Sequence, residues 1–326
     1  MLEVVEPGPF LTIQDAGRTG LGRLGVPRSG ACDPWGLAVA NLLVDAARGA
    51  AALEVTFGGC TLMALETCAV GLAGADLGAE RDDGLRLPSG VAHRIPAGAR
   101  IRLSGANRGV RAYIALAGGI STETWMGSAS TYRPGRLGFA GGRALQAGDR
   151  LSPRRRGDLE VVGNAWSSRL APHPAGERRP FGIVPGPDLD AAPERALEAF
   201  LAAAWRVSPS SDRMGIRFDG ASLGPGAEIV SHPLLPGAVQ LPPDGRPIVM
   251  LADGPTIGGY PVLGVVPAAD LPRLGQLRPG DEVRFGVMTA EAARDRWREQ
   301  QAAFDRAANA MRADAVWTRL ADRAGG

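Results

Sequence analysis

Until about residue 289, this chain is a succession of short apolar runs, each cut off within a few residues by Gly or Pro. With 46 Gly and 26 Pro in 326 residues, the usage is above average. It stays below the roughly 25–30% that marks low-complexity disorder. A long helix or a solenoid cannot be built from such punctuation, whereas many short strands joined by tight turns can. Three segments repeat one shape: P-A-G-A-R-I-R-L (96–103), Q-A-G-D-R-L (146–151) and R-P-G-D-E-V-R-F (278–285). Each is a Gly turn feeding an alternating strand. A larger cadence, an apolar strand and then an Asp-bearing loop, recurs at Asp76 and Asp253. This reads as a weak internal repeat, hence two related β-rich domains. One large β fold with recurrent turn chemistry is the other reading.

The stretch 251–266, L-A-D-G-P-T-I-G-G-Y-P-V-L-G-V-V, joins two apolar runs that read as buried strands. Its loop has few conformations to lose, and Gly258 and Gly259 let backbone approach a ligand closely. Asp253 and Tyr260 would then be displayed at the ends of core strands. A structural turn with Asp253 in an Asx turn is an equal reading of this stretch alone.

Two helices are expected before the tail. Residues 34–44 follow Asp33, a good N-cap, and Pro34 suits the first helical position. Residues 193–205 carry Leu197, Phe200, Leu201 and Trp205 at helical spacing. Residues 211–220 read as polar turn. Residues 152–179, with Arg154, Arg155 and Arg156, read as a linker whose Arg run is a solvated face. Residues 289–323 lack Gly and Pro and place Trp297, Phe304 and Met311 at heptad spacing, with Ala308 and Ala315 on the same side. The expected division is 1–165, 178–289 and a helical tail, 290–326.

Several functions are excluded by what is absent. All 36 basic residues are Arg. Without lysine there is no Schiff base, no P-loop lysine and no anchor for biotin or lipoate in this chain. A net charge of +2 gives no field suited to nucleic acid or an anionic membrane. Cys32, Cys60 and Cys68 form no C-x-x-C pair and suggest a reducing compartment. With no signal peptide and no apolar run of membrane-spanning length, a cytoplasmic protein is expected. His93, His173 and His232 are too scattered for a metal site. His173 reads as exposed in the linker, and His93 and His232 as structural.

Taken in order, the motifs resemble the biotin-dependent carboxyltransferase family that includes the C subunit of 5-oxoprolinase, the Kip antagonist and the second allophanate-hydrolase-like subunit. The matching pieces are T-I-Q-D-A-G-R-T-G (12–20), V-P-R-S-G-A-C-D (26–33), L-E-V-T-F-G-G (53–59), G-A-D (74–76), Y-I-A-L-A-G-G-I (113–120) and G-S-A-S-T (127–131). In the second half they are S-D-R-M-G-I-R-F-D-G, G-A-V-Q-L-P-P-D-G-R-P-I-V-M-L-A-D, P-T-I-G-G-Y-P and L-G-Q-L-R-P-G-D-E-V-R-F. The resemblance runs to about Ala292. It implies a mainly β fold of two cyclophilin-like β-barrel domains with a few helices. It also implies partner B (Kip-inhibitor-like) and A subunits, a small-molecule amide substrate, and ATP used by the complex; a homodimer stays open. Family members often carry a lysine after G-G-Y-P, where this chain has Val262. Gly254-Pro255 also replaces a more usual Arg-Gln.

The reactions implied act on an amide-like nitrogen or carbonyl. They need a carboxylate to orient or deprotonate N–H and donors for oxyanion charge. Asp253 and Asp76 are the candidates for the first role. Arg213, Arg18, Tyr260 and the backbone N–H groups of Gly258 and Gly259 are candidates for the second. Gln14, Asp15, Ser29 and Asp33 are expected to line the same pocket, and His93 gains weight by following the Asp76 segment. Helix capping alone would also explain Asp33, and an Asp15–Arg18 pair that pins the loop would explain those two.

Overall fold

The computed structural model describes residues 1–105, 108–171, 173–177 and 179–324, with side chains as far as 314. Residue 178, the expected start of the second domain, and the side chain of Ala315 lie outside the described residues. The fold is mainly β, with 28% strand and 20% helix, and it ends in a helix. The chain divides into two compact units that trade segments: 1–17, 33–173 and 301–326 form the first, and 18–32 and 174–300 the second.

The first unit has two five-stranded sheets. Leu2–Pro7, Cys60–Ala64 and Arg100–Leu103 pair antiparallel in one; Phe10–Gln14, Ala52–Thr56, Arg111–Leu116, Cys68–Gly74 and Val91–Ile95 make up the other. Alternating positions from both sheets fill one core. Val4, Leu62 and Ile101 come from the first sheet, and Ile13, Val55, Val70 and Ile114 from the second. The chain crosses between sheets at a corner where Phe57, Gly58 and Gly59 all have positive φ (67°, 85° and 70°). A Cβ on Gly58 would lie 2.7 Å from the Gly105 nitrogen, so the corner needs glycine for space as well as for dihedral.

The helix Pro34–Leu43 lies on the second of these sheets. Asp33 caps it by accepting from the Gly36 N–H at 2.9 Å. The close approach is made at Gly71, where a Cβ would sit 2.3 Å from the carbonyl oxygen of Ala40 and 3.0 Å from Leu43 Cβ. Both obstacles are core. Gly71→Ala should therefore lower unfolding free energy by about 1–3 kcal/mol, the usual cost of overpacking. A thermal melt unchanged by this substitution would show that the helix slides freely on the sheet.

In the second unit one eight-stranded sheet runs from Glu282–Val283 through Trp205–Val207, Gly215–Asp219, Ile248–Met250, Ala238–Gln240, Val262–Val265 and Phe181–Pro185 to Phe285–Val287. Its two edge strands are separated in sequence by Arg284 alone. A sheet whose edges are covalent neighbours must curl round to meet itself, which gives a nearly closed barrel. Phe181, Phe200, Trp205, Phe218 and Phe285 pack as an aromatic core, with ring centroids 4.5–5.9 Å apart.

Some local expectations change. The segment expected to be polar turn contains the strand Gly215–Asp219, because Ile216 and Phe218 face inward while Arg217 and Asp219 face out. The expected 193–205 helix is confined to Ala196–Ala202; Trp205 instead opens a strand and donates from Nε1 to Phe200 O at 2.9 Å. Much of the expected linker is laid on the first unit: Arg154 N–H bonds Gly119 O at 3.0 Å, and Asn164 Nδ2 donates to Leu43 O at 3.0 Å.

The tail is one helix, Ala290–Ala324, started by Thr289, whose hydroxyl accepts from the Ala292 N–H at 3.2 Å. In the second unit its first turns are held by polar contacts, Arg296 to Asp270 (3.5 Å) and Gln300 Nε2 to Ala269 O (3.2 Å). Trp297 is 41% exposed, which corrects its placement on the buried stripe; a straight helix drifts about 20° per heptad. Farther along, Phe304, Ala308 and Met311 are buried. Phe304 lies between Trp35 and Trp166, each 4.8 Å away, with the Arg48 guanidinium 4.4 Å above its ring.

Candidate functional site

In the second unit the loop after Ile248–Met250 carries Asp253 into a buried position. Leu251 N–H bonds Met214 O, and Asp253 N–H bonds Arg213 O, each at 2.9 Å. This brings the two side chains face to face. Arg213 Nε donates to Asp253 Oδ2 at 2.8 Å and Nη2 to Oδ1 at 3.0 Å. The pair is bidentate, and both side chains are under 10% exposed. Arg213 also donates to Gly30 O (2.6 Å) and reaches Cys32 Sγ (3.2 Å). The 18–32 segment is thereby fastened to this ion pair, and Ser29 N–H closes the contact on Ala252 O at 2.9 Å.

Ser29 stands out on this loop. It is 3% exposed, has φ of 52°, and its hydroxyl meets no hydrogen-bond partner among the described residues. A non-glycine residue held left-handed with an unmet hydroxyl is a marker of a site more than of a turn. Arg18 is buried at the start of the same segment, its N–H on Arg28 O at 2.6 Å. Gly258 pairs with His232 in a two-stranded ribbon, and a Cβ there would meet Gln240 Nε2 at 2.5 Å. Gly259 accepts from the Ile229 N–H at 2.9 Å. Tyr260 is exposed at the far end of this loop, so the structure separates it in character from buried Asp253.

In the first unit Gln14 and Asp15 end the strand Phe10–Gln14 beside the segment 128–131. Thr131 N–H bonds Ile13 O at 3.0 Å. Asp15 accepts from the Gly17 and Ala129 N–H groups (2.8 and 2.7 Å), from the Ser128 hydroxyl (2.6 Å) and from the Ser130 hydroxyl. Its oxygens are occupied, which makes it the pin of the Gly/Ser loop. Sequence reasoning named G-S-A-S-T as a motif but not Ser128, Ser130 or Thr131 as site residues. Three hydroxyls within four residues after a glycine were the available signal.

Asp33 does more than cap its helix. Its Oδ2 lies 2.7 Å from His173 Nε2, and its N–H donates to Tyr113 Oη at 2.8 Å. Tyr113 in turn donates to Glu54 at 2.7 Å, and Arg111 stands 3.7 Å from that carboxylate. His173 is thus half-buried and paired, a correction to its expected exposure; the strong acceptor Asp33 draws the ring in. Asp76 is exposed, accepts the Gly78 N–H at 2.9 Å and lies 3.9 Å from Arg86, the geometry of an Asx turn. His93 Nε2 lies 2.9 Å from Pro88 O. Burial holds its pKa below the ordinary value, with the Pro88 hydrogen bond working the other way. Among the described residues, no group of three or more His, Cys, Asp or Glu is arranged to hold a metal ion, and no helix is long and apolar enough to cross a membrane.

Two relatives match this chain nearly end to end. It is 35% identical over 320 residues to the C subunit of 5-oxoprolinase from Escherichia coli (strain K12), covering 94% of this chain and 98% of that protein. It is 31% identical over 295 residues to the C subunit of 5-oxoprolinase from Haemophilus influenzae, covering 90% and 93%. Among solved structures, the K. lactis urea amidolyase superposes with a TM-score of 0.83 at 27% identity over 94% of this chain, which spans 20% of that longer one. The carboxyltransferase domain family, subdomains A and B, matches residues 24–287. With that span covering both units, the chain belongs to the carboxyltransferase domain family.

Proposed function

We propose that this chain is a subunit of an ATP-dependent 5-oxoprolinase complex, which opens the lactam of 5-oxo-L-proline to L-glutamate together with A and B partner subunits in the cytoplasm. The observation that carries this reading is end-to-end similarity to a protein of that name, which this chain covers to 98% of its length. The absent parts fit a division of labour, since no nucleotide motif and no lysine occur here and nucleotide binding then falls to a partner. Within this chain Arg213 and Asp253 neutralise each other and hold the 29–32 backbone in place. The Ser29 hydroxyl and the Gly258 and Gly259 loop are then the groups left to meet a polarised amide.

A second reading, carboxyl transfer from carboxybiotin to urea or a related amide, draws on the family description and on the superposition with urea amidolyase. A third, a regulator that binds a Kip-inhibitor-like partner without catalysis, shares the same partner. Co-expression with A and B homologues, followed by measurement of ATP-dependent glutamate release from 5-oxoproline, separates them. Release should require all three chains. Undiminished release when this chain is left out would remove it from the enzyme.

A further inference from the structure

One cavity of the first unit involves none of the site groups described so far. Its volume is about 420 Å³, within the roughly 300–1,000 Å³ of small-molecule sites. It lies where the strands Cys68–Gly74 and Arg111–Leu116 meet the 153–159 segment. The strand side is apolar and buried: Ala69 is 0% exposed, Leu116 2% and Cys68 8%. Burial lifts the Cys68 thiol pKa above its ordinary value, and the Glu66 charge adds to this while the amino terminus opposes it. That floor therefore stays uncharged. Leu159, which also lines the cavity, is 40% exposed, so the space reaches from core to solvent.

The charged lining comes from two sides. Glu66 precedes the strand Cys68–Gly74, and Arg156 and Asp158 belong to the run R-R-R-G-D-L, 154–159. Arg156 is solvent-exposed, as its reading on a solvated face requires, and it also lines the cavity. Its backbone has little room to shift. A Cβ on Gly157 would lie 2.5 Å from the Ala117 carbonyl oxygen, and one on Gly118 2.2 Å from that of Arg155. Ala117 N–H bonds Ala69 O at 2.9 Å, which ties this support to the floor. The side chains of Arg156 and Glu66 make no hydrogen bond or ion pair among the described residues. Asp158 spends one oxygen on the Glu160 N–H at 2.8 Å. A guanidinium and two carboxylates thus line one space without satisfying one another.

We propose that this cavity binds a free α-amino acid with an apolar side chain. Arg156 takes the carboxylate, in the two-pronged geometry a guanidinium favours. Glu66 and Asp158 take the ammonium, and the side chain covers Ala69 and Leu116. A simple anion would meet two carboxylates, and a simple amine would leave Arg156 unused. L-glutamate would bring a second carboxylate to the acidic wall. The site stands apart from the amide-processing reading above and does not rest on it.

The test titrates the full chain by isothermal calorimetry with L-leucine, 4-methylpentanoate and isopentylamine. The last two keep the hydrocarbon but lack the ammonium and the carboxylate, respectively. L-leucine should bind with a Kd of about 1 mM or lower, about tenfold or more tighter than either. Arg156→Gln should weaken L-leucine by about tenfold and leave isopentylamine unchanged. The double variant Glu66→Gln, Asp158→Asn should weaken L-leucine and isopentylamine alike, and 4-methylpentanoate not at all. All three side chains are exposed, so the variants should melt with the wild type, and lost binding is then not lost folding. No heat and no rise in melting temperature with L-leucine at about 10 mM would overturn the proposal. So would L-leucine binding indifferent to Arg156→Gln, or L-glutamate binding as tightly as L-leucine.

Discussion

Arg213→Ala should lower the unfolding free energy of the chain by about 3–5 kcal/mol, the cost of leaving one member of a buried ion pair uncompensated. Asp253 would keep a buried charge with both of its hydrogen bonds gone, and the Gly30 carbonyl and Cys32 thiol would lose their shared donor. Urea denaturation reads this directly as a lower midpoint. The double variant Arg213→Met, Asp253→Leu removes both charges together, so most of the stability should return, as it does when buried pairs are replaced by apolar residues of similar size. Glutamate release should not return, because Gly30 and Cys32 then lack the Arg213 donor that holds them. Asp253→Asn, which keeps the shape, should also abolish release while the assembly persists. Turnover in the double variant would reduce the pair to scaffolding.

An effect of similar size is expected at Asp270, a residue the sequence did not single out. Its side chain is fully buried and receives Arg179 Nη2 at 2.7 Å, Arg273 Nη1 at 3.3 Å, Arg296 Nη1 at 3.5 Å and the Gly182 N–H at 2.8 Å. Arg273 is in turn stacked 4.1 Å over Phe181. One carboxylate thus ties a barrel strand, a short helix and the tail helix together. Asp270→Ala should cost about 3–5 kcal/mol, since three guanidinium groups lose their shared counter-charge.

The pH dependence follows from the same contacts. Burial alone would raise the Asp270 pKa; the Arg179 hydrogen bonds, the Gly182 N–H and the charges of Arg179 and Arg273 outweigh it and hold it below the ordinary 3.8. A folded value below the unfolded one means that the folded chain binds this proton less readily. The stabilisation is complete above the unfolded value and drains away as pH falls through the folded one. The stability gap between wild type and Asp270→Asn should accordingly be flat above about pH 5 and close below about pH 4. A gap that widens on acidification would contradict this sign.

The sequence showed the architecture better than the chemistry. Gly and Pro punctuation announced short strands, and Asp33-Pro34 announced a capped helix, because both signals are local. Strand Gly215–Asp219 was hidden since its outward Arg217 and Asp219 made the segment look like a turn. The Asp253–Arg213 pair joins residues 40 apart, and periodicity cannot report a contact of that kind. Asp76 and Asp253 looked alike in sequence, each an Asp after an apolar strand. Their environments differ: one is an exposed Asx turn and the other a buried ion-pair partner. Arg156 read only as part of a solvated run because a cavity exists only once neighbours are in place.

The exchange of segments between the two units also bears on how the polypeptide is made. Phe304 closes a cluster with Trp35 and Trp166, so the first unit waits for residues synthesised after the 174–300 stretch of the second. Contacts of such long sequence separation slow folding and lengthen exposure of sticky surface. Cutting the gene at the midpoint should therefore release two insoluble fragments, whereas breaking a surface loop inside one unit, with both fragments produced together, should still permit reassembly.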